Sequence, residues 1–249
     1  MTDAAGRDAH ADDGAPSRAR GTAPSLFGVP LRTERIHAAC GELRIRIPRE
    51  VNDLLRRSPS LVAAAARREH PHWAVLWPAS IALARHVARG PSLAEVEAVD
   101  LGCGAGLAGV AAGRRGARVC FADRAPEALA LARVNAELNG LVGFEARVFD
   151  WSADALPAGC RLLLLADLCY NWRAVRPLLQ LADEVHARGG TVLAADPFRP
   201  TANDLWLGLC ERGALTTTRD VVLRDERTTI RIATLGPMVA DGGPAPEAS

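Results

Sequence analysis

The stretch Val99-Asp100-Leu101-Gly102-Cys103-Gly104-Ala105-Gly106 decides how this chain is read. It closes Val96–Leu101, a short apolar run that suits a buried strand, and opens Gly106–Arg114, a small-residue segment that suits a helix. Its alternating glycines permit positive φ and close approach of the backbone to a ligand. Gly104-Ala105-Gly106-Leu107-Ala108-Gly109 also fits GxGxxG, and Asp123 follows at about the 20-residue spacing of a dinucleotide fingerprint. That fingerprint begins directly at the strand end, whereas here Asp100-Leu101-Gly102 comes first. A carboxylate ahead of the glycines receives an ammonium group and repels a pyrophosphate. The methionyl end of S-adenosylmethionine (SAM) therefore fits, and a nicotinamide dinucleotide does not.

Outward from this stretch, strand and helix patterns alternate. Arg118–Asp123 reads as a strand, and Pro126 suits the first turn of a helix running to about Asn139. Phe144–Phe149 and Arg161–Ala166 are further strands. A helix over Ala174–Ala187 is stopped by Gly189 and Gly190; the strand Thr191–Ala195 and a helix over Ala202–Arg212 follow. Leu215–Leu223 and Thr228–Leu235 have only Arg224–Arg227 between them, too little for a parallel crossover, so they must pair antiparallel. The expected fold is α/β: a Rossmann-like, seven-stranded, mostly parallel sheet with a C-terminal antiparallel hairpin strand, helices on both faces and a short N-terminal extension. In that extension Thr33–His37 and Glu42–Ile47 read as strands around Gly41. Val51–Arg68 has helical spacing interrupted by Pro59, and HPHWAVLWPAS leads into a helix at about Ser80–Arg89. Residues 26–238 form one expected domain, with the extension at 26–78 and the α/β core at 79–238. Residues 1–25 and 239–249 have little to bury and are expected to be disordered tails.

Across 249 residues the net charge is +1, from 30 basic and 29 acidic side chains, which gives no electrostatic case for a nucleic-acid or membrane partner. No apolar run approaches the ~20 residues of a membrane span, and the start lacks the apolar region of a secretory signal. Cys40, Cys103, Cys120, Cys160, Cys169 and Cys210 lack metal-site spacing and read as free thiols of a reducing compartment, so the expected location is cytoplasmic. The sequence contains no lysine, as GC-rich codon usage would explain, so a lysine-directed enzyme with this sequence could not modify its own side chains. Nothing in the sequence specifies an oligomeric state.

Open parallel sheets bind ligands beyond the carboxyl ends of their strands. Asp100, Asp123, Asp150 and Asp167 fall at four such ends. Each alone suits a turn or helix cap; together on one edge they mark a site. Gly102, Gly104 and Gly106 would cradle the ligand, Asp123 would accept from both ribose hydroxyls, and Asp150 would accept from the adenine amino group. Phe149 and Trp151 flank Asp150, and either one suits the adenine face or the core equally. Trp73 and Trp77 suit a roof over the cofactor or the packing of the extension. Tyr170, the only tyrosine, lies three residues after Asp167; a carboxylate and a phenol can orient an amine, which makes both candidate catalytic residues. The segment is not the Asn/Asp-Pro-Pro-Tyr/Phe motif of enzymes acting on amide or base nitrogens. His70 and His72 lack paired ligand spacing and read as loop residues, so no metal is expected.

On HPHWAVLWPASIALARHV, VDLGCGAGLAGVAAGRRGA, ALARVNAELNGL, ADLCYNWRAV and AADPFRP the chain resembles the seven-β-strand SAM-dependent methyltransferases, and in its Asp-x-x-Tyr their lysine-methylating subgroup. Within that subgroup the likeness is greatest to the enzymes acting on the β subunit of electron-transfer flavoprotein. The resemblance implies that Trp77, Asp100, Gly102, Gly104, Gly106, Asp123, Asp150, Trp151 and Asp167 meet SAM and that Asp167 and Tyr170 line the lysine site. It also implies a protein substrate, with Asp196, Pro197, Arg199 and Pro200 on the substrate-facing rim. Asn171 stands where the family pattern has an acidic residue, and Phe198 where it has a small one. A small-molecule amine methyltransferase fits the same scaffold. A non-catalytic scaffold would be expected to have lost a cofactor carboxylate or glycine, and none is missing.

Overall fold

The computed structural model describes residues 24–57 and 70–237. Strands β1 (Ser25–Leu26), β2 (Val29–Ala38) and β3 (Gly41–Pro48) form a small antiparallel sheet. The two expected strands are thus the middles of longer ones, and Ser25, expected in the tail, already pairs with Pro30. The expected helix from Val51 is seen as α1 (Val51–Arg57); its continuation past Pro59, like both expected tails beyond residues 24 and 237, lies outside the described residues.

The core then runs α2 (Pro78–Arg89), β4 (Glu97–Leu101), α3 (Leu107–Arg114), β5 (Arg118–Asp123), α4 (Pro126–Leu138), β6 (Glu145–Val148) and β7 (Cys160–Ala166). It ends with α5 (Val175–Ala187), β8 (Thr191–Asp196), α6 (Asn203–Glu211), β9 (Leu215–Leu223) and β10 (Glu226–Leu235). The seven core strands lie in the order β6-β5-β4-β7-β8-β10-β9. All neighbours are parallel except β10, which runs antiparallel to both β8 and β9. Arg224 and Asp225 make the reversal with φ of 51° and 66°, the two-residue turn whose twist matches that of a hairpin.

The four leucines of β7 show why a continuous apolar run is required. Leu162 and Leu164 pack with α2, α3 and α4 on one face of the sheet, while Leu163 and Leu165 pack with α5 and α6 on the other. A strand covered on both faces has no polar side to expose. Strand order reverses between β4 and β7, which opens a crevice above their carboxyl ends.

The N-terminal sheet is fastened to this core by two buried asparagines one helical turn apart, Asn135 on α4 and Asn139 at its C-terminal cap. Asn139 accepts from the Arg44 amide (2.9 Å) and donates to the Arg44 carbonyl (2.7 Å). Asn135 does the same with Arg46 (2.7 and 3.0 Å) and also donates to the Ala105 carbonyl (2.8 Å) in the glycine turn. The edge of β3 therefore meets side-chain amides that imitate a neighbouring strand. We expect Asn135→Ala to lose on the order of 2–3 kcal/mol of unfolding free energy in urea titrations, because buried partners are left unpaired; a loss under ~0.5 kcal/mol would contradict this role.

Candidate active site

A cleft of about 1170 Å³, part of it open to solvent, lies above the carboxyl ends of β4, β5 and β7. Its wall includes Gly102, Gly104, Asp123, Trp151, Asp167 and Tyr170, with Trp77 from the segment before α2. These residues come from five separate stretches of sequence, and the sheet edge is what brings them together.

The glycine turn forms the floor. Gly102, Gly104 and Gly106 have φ of 58°, 51° and 78°, a region that side-chain-bearing residues rarely adopt. Gly102 and Gly104 face the cleft. A Cβ on Gly102 would lie 2.4 Å from Leu168 Cδ2, and one on Gly104 3.3 Å from the Trp73 carbonyl. Gly106 faces inward, where a Cβ would meet Phe121 at 3.0 Å and Ala132 at 3.1 Å, so it lets the helix pack and does not line the cleft.

The four strand-end carboxylates have different surroundings. Asp123 lines the cleft, with Oδ2 accepting from the Gly104 amide (3.0 Å) and Oδ1 from the Ala125 amide (2.9 Å). Each oxygen keeps a lone pair for a ligand hydroxyl. Burial raises its pKa, and those amides counter the rise. Asp100 lies beneath the floor, buried, with Oδ2 accepting from the Gly109 amide (2.8 Å). Burial pushes its pKa up to about 7. Asp150 is exposed and turned to its own loop, where Oδ1 accepts from the Ser152 amide (2.9 Å) and hydroxyl (2.5 Å), contacts that lower its pKa. Neither Asp100 nor Asp150 lines the cleft, although the sequence grouped both with the ligand contacts.

Asp167 has φ of 56°, a conformation that aspartate tolerates. Its amide donates to the Ala195 carbonyl (2.8 Å), which fixes the turn against β8. Its carboxylate takes a bidentate fork from Arg199, Nε on Oδ1 and Nη2 on Oδ2, the latter at 2.7 Å. The Arg199 guanidinium lies 5.8 Å from the centre of the Trp77 ring. Arg199, expected on the rim, is thus the counter-ion of the site carboxylate. Asp196 is engaged elsewhere, paired with Arg231 (2.7 Å), whose guanidinium lies over the Trp206 ring.

Of the aromatic pairs, Phe149 is in the core and Trp151 in the cleft; Trp77 lines the cleft, and Trp73, though buried in the core, borders it too. His70 and His72 also line the cleft, which sequence reasoning missed. The His72 ring lies 6.0 Å from Tyr170 and 6.1 Å from Trp77. Its position in the aromatic stretch just upstream of Trp77 was the available signal. Among the described residues no cluster of His, Cys, Asp or Glu could hold a metal ion. Cys103 also lines the cleft, and burial with the Asp123 and Asp100 carboxylates pushes its thiol pKa well up, which disfavours the thiolate. Phe198 adopts φ of 61°, which explains why a small residue suits that position, and its ring lies 5.1 Å from the Arg231 guanidinium. Asn171 accepts from the Arg173 amide (3.0 Å) and so caps the short turn that follows.

This donor set fits SAM. The floor offers backbone and no side chain, Asp123 offers paired acceptors for vicinal hydroxyls, and Trp151 offers an apolar face. The buried Asp100 makes a separate prediction. Below its ordinary pKa of 3.8 both folded and unfolded chains carry the proton. As pH rises towards 7 the unfolded chain ionises while the folded one resists, so stability falls across that window and levels off above it. Asp100→Asn keeps an acceptor for Gly109 and cannot ionise. Its stability relative to the native chain should grow between pH 4 and 7 and stay constant above, as read from urea midpoints of the ligand-free proteins; a pH-independent difference would contradict the burial of a titrating group.

Residues 59–212 match the family model described as lysine methyltransferase. The chain is 30% identical to the electron transfer flavoprotein beta subunit lysine methyltransferase of Xenopus laevis over 191 residues, covering 74% of each chain. To its namesake from Danio rerio it is 35% identical over 137 residues, 54% of this chain and 53% of that one. Among solved structures it resembles a magnesium protoporphyrin IX methyltransferase from Synechocystis PCC 6803, with a TM-score of 0.49 and 17% identity over 63% of this chain and 78% of that one. With its seven-stranded sheet, its glycine-floored cleft, the family match and the Xenopus laevis relative, the chain belongs to the SAM-dependent lysine methyltransferases of the seven-β-strand class.

Proposed function

We propose that this enzyme methylates a lysine side chain on the β subunit of electron-transfer flavoprotein, in the cytoplasm, with Asp167 and Tyr170 facing the acceptor amine. The observation that carries the reading is the single cleft lined together by Asp123, Trp151, Asp167, Tyr170 and Trp77. The names of its relatives support the acceptor protein. Balanced charge supports a partner that is neither nucleic acid nor membrane. Among the described residues no helix is long and apolar enough to cross a membrane.

In this reading Gly102 and Gly104 let the backbone approach the cofactor, Asp123 accepts from the ribose hydroxyls, and Trp151 takes the adenine end, while Asp150 holds the loop that carries Trp151. Asp100 and Gly106 act on the turn itself, one through Gly109 and the other through close packing. When bound, SAM supplies a sulfonium methyl whose C–S bond breaks as the amine lone pair forms the new N–C bond. The carboxylate of Asp167 and the phenol of Tyr170 orient that amine, whose excess proton leaves to solvent beforehand. Tyr170 is 41% exposed, as a residue meeting a protein surface must be.

Labelled SAM with recombinant electron-transfer flavoprotein β subunit and, in parallel, host-cell lysate tests the assignment. We expect methyl-lysine on the β subunit by mass spectrometry. Because the enzyme has no lysine, every methyl-lysine belongs to a substrate. Label on another protein would overturn the acceptor, and label only in small molecules would favour a small-molecule amine. Asp123→Ala should weaken SAM binding by ~1.5–3 kcal/mol in calorimetry, the worth of hydrogen bonds to a charged group. Unchanged affinity would sink the ribose assignment. Asp167→Ala should bind SAM nearly as well as the native chain while turnover falls at least ~10²-fold, the scale of a lost positioning contact.

A further inference from the structure

Methyl transfer needs the neutral amine, and an isolated carboxylate works against it. A bare anion beside a lysine stabilises the ammonium form, raises the acceptor's pKa and so removes the lone pair. The surroundings of Asp167 differ from that case. Both of its oxygens are held by the Arg199 fork, its side chain is only 4% exposed, and the guanidinium is backed by the Trp77 ring. A carboxylate has about four lone-pair positions, so one on each oxygen remains for an amine N–H outside the fork.

Charged and titratable groups from every neighbouring element complete this surround. Arg124 and Asp123 come from the end of β5, His70 and His72 from the segment before α2, and Tyr170 from the turn after β7. Asp196, at the end of β8, is already paired with Arg231. The same surround acts on His72: burial lowers its pKa, His70, Arg199 and Arg124 lower it further, and Asp167 opposes them. At His72, therefore, burial and the neighbouring positive charges outweigh the pull of the Asp167 carboxylate. An acidic approach, which a lysine-directed site suggests, is not what these residues make.

We propose that Arg199 is a positioning residue that cancels the charge of Asp167 while fixing its plane, so that the acceptor lysine is held as the neutral amine. The proposal rests on the reading of Asp167 as the group facing the acceptor. It assigns the Asp-x-x-Tyr turn and the Asp-Pro-Phe-Arg-Pro turn to one device, and ties between them support this: the Thr201 hydroxyl donates to the Cys169 carbonyl (2.5 Å) and the Asp167 amide to that of Ala195.

The test compares the native chain with Arg199→Gln and Arg199→Lys. Methylation of the β subunit is followed as kcat against pH, and His72 is titrated by NMR in the absence of acceptor. In Arg199→Gln, both the acid-side midpoint of kcat and the His72 midpoint should move up by about one pH unit, the scale of a lost neighbouring charge. Arg199→Lys should keep both midpoints near native values, although it loses the fork. SAM, a sulfonium cation, should bind Arg199→Gln at least as tightly as the native chain, which separates a charge effect from a collapsed cleft. A rate that falls equally at all pH values with both midpoints unmoved would overturn the proposal and leave Arg199 a structural residue. No methyl-lysine from the native chain would overturn the function instead, and the His72 midpoint would then decide on Arg199 by itself.

Discussion

Within five residues the backbone at the end of β4 must leave a strand, pass three times through left-handed conformations and enter α3. Glycine removes the steric cost of that path but supplies nothing to hold it. The surrounding elements do. The Cys103 amide donates to Ala122 of β5, the Gly104 amide to Asp123, the Gly109 amide to Asp100 of β4, and the Ala105 carbonyl accepts from Asn135 of α4. Each anchor comes from an element that exists for other reasons, so the turn is correct only when the sheet and α4 are assembled. Asn135 also binds β3, which makes the N-terminal sheet part of the same support.

The cleft above this turn shows how one residue type acquires different duties. Asp123 meets backbone amides, which hold it in place and leave its charge in the cleft. Asp167 meets a guanidinium, which holds it in place and takes its charge away. The first arrangement suits neutral hydroxyl donors; the second suits an amine that must not be protonated. Asp100 meets a single amide in a dry environment and serves the turn from below.

Much of the fold was legible because its signals are local. Arg161–Ala166 read as a strand from its run of four leucines, and four intervening residues between the last two apolar runs excluded a parallel crossover. The cofactor class followed from Asp100 standing ahead of the glycines, although that carboxylate proves to act from beneath them. Other features had no local mark. Phe149 and Trp151 are two residues apart and equally aromatic, yet the end of β6 sends one into the core and the other into the cleft. Asn135 and Asn139 look like ordinary polar residues of a helix and its end until β3 arrives beside them; the one hint was Asn135 among the apolar residues of the buried face of α4.

The sequence by itself determined which elements form, the order in which they occur, and which chemical groups arrive at the carboxyl edge. Those depend on hydrophobic period, turn residues and strand-end position, all of which act over a few residues. Only the tertiary structure decided which of those groups face the cleft and in what state of charge. Asp167 and Arg199 are 32 residues apart, and their fork exists because β7 and β8 are neighbours in the sheet. Hydrogen-bond direction and desolvation depend on such distant neighbours, and local patterning carries no record of them.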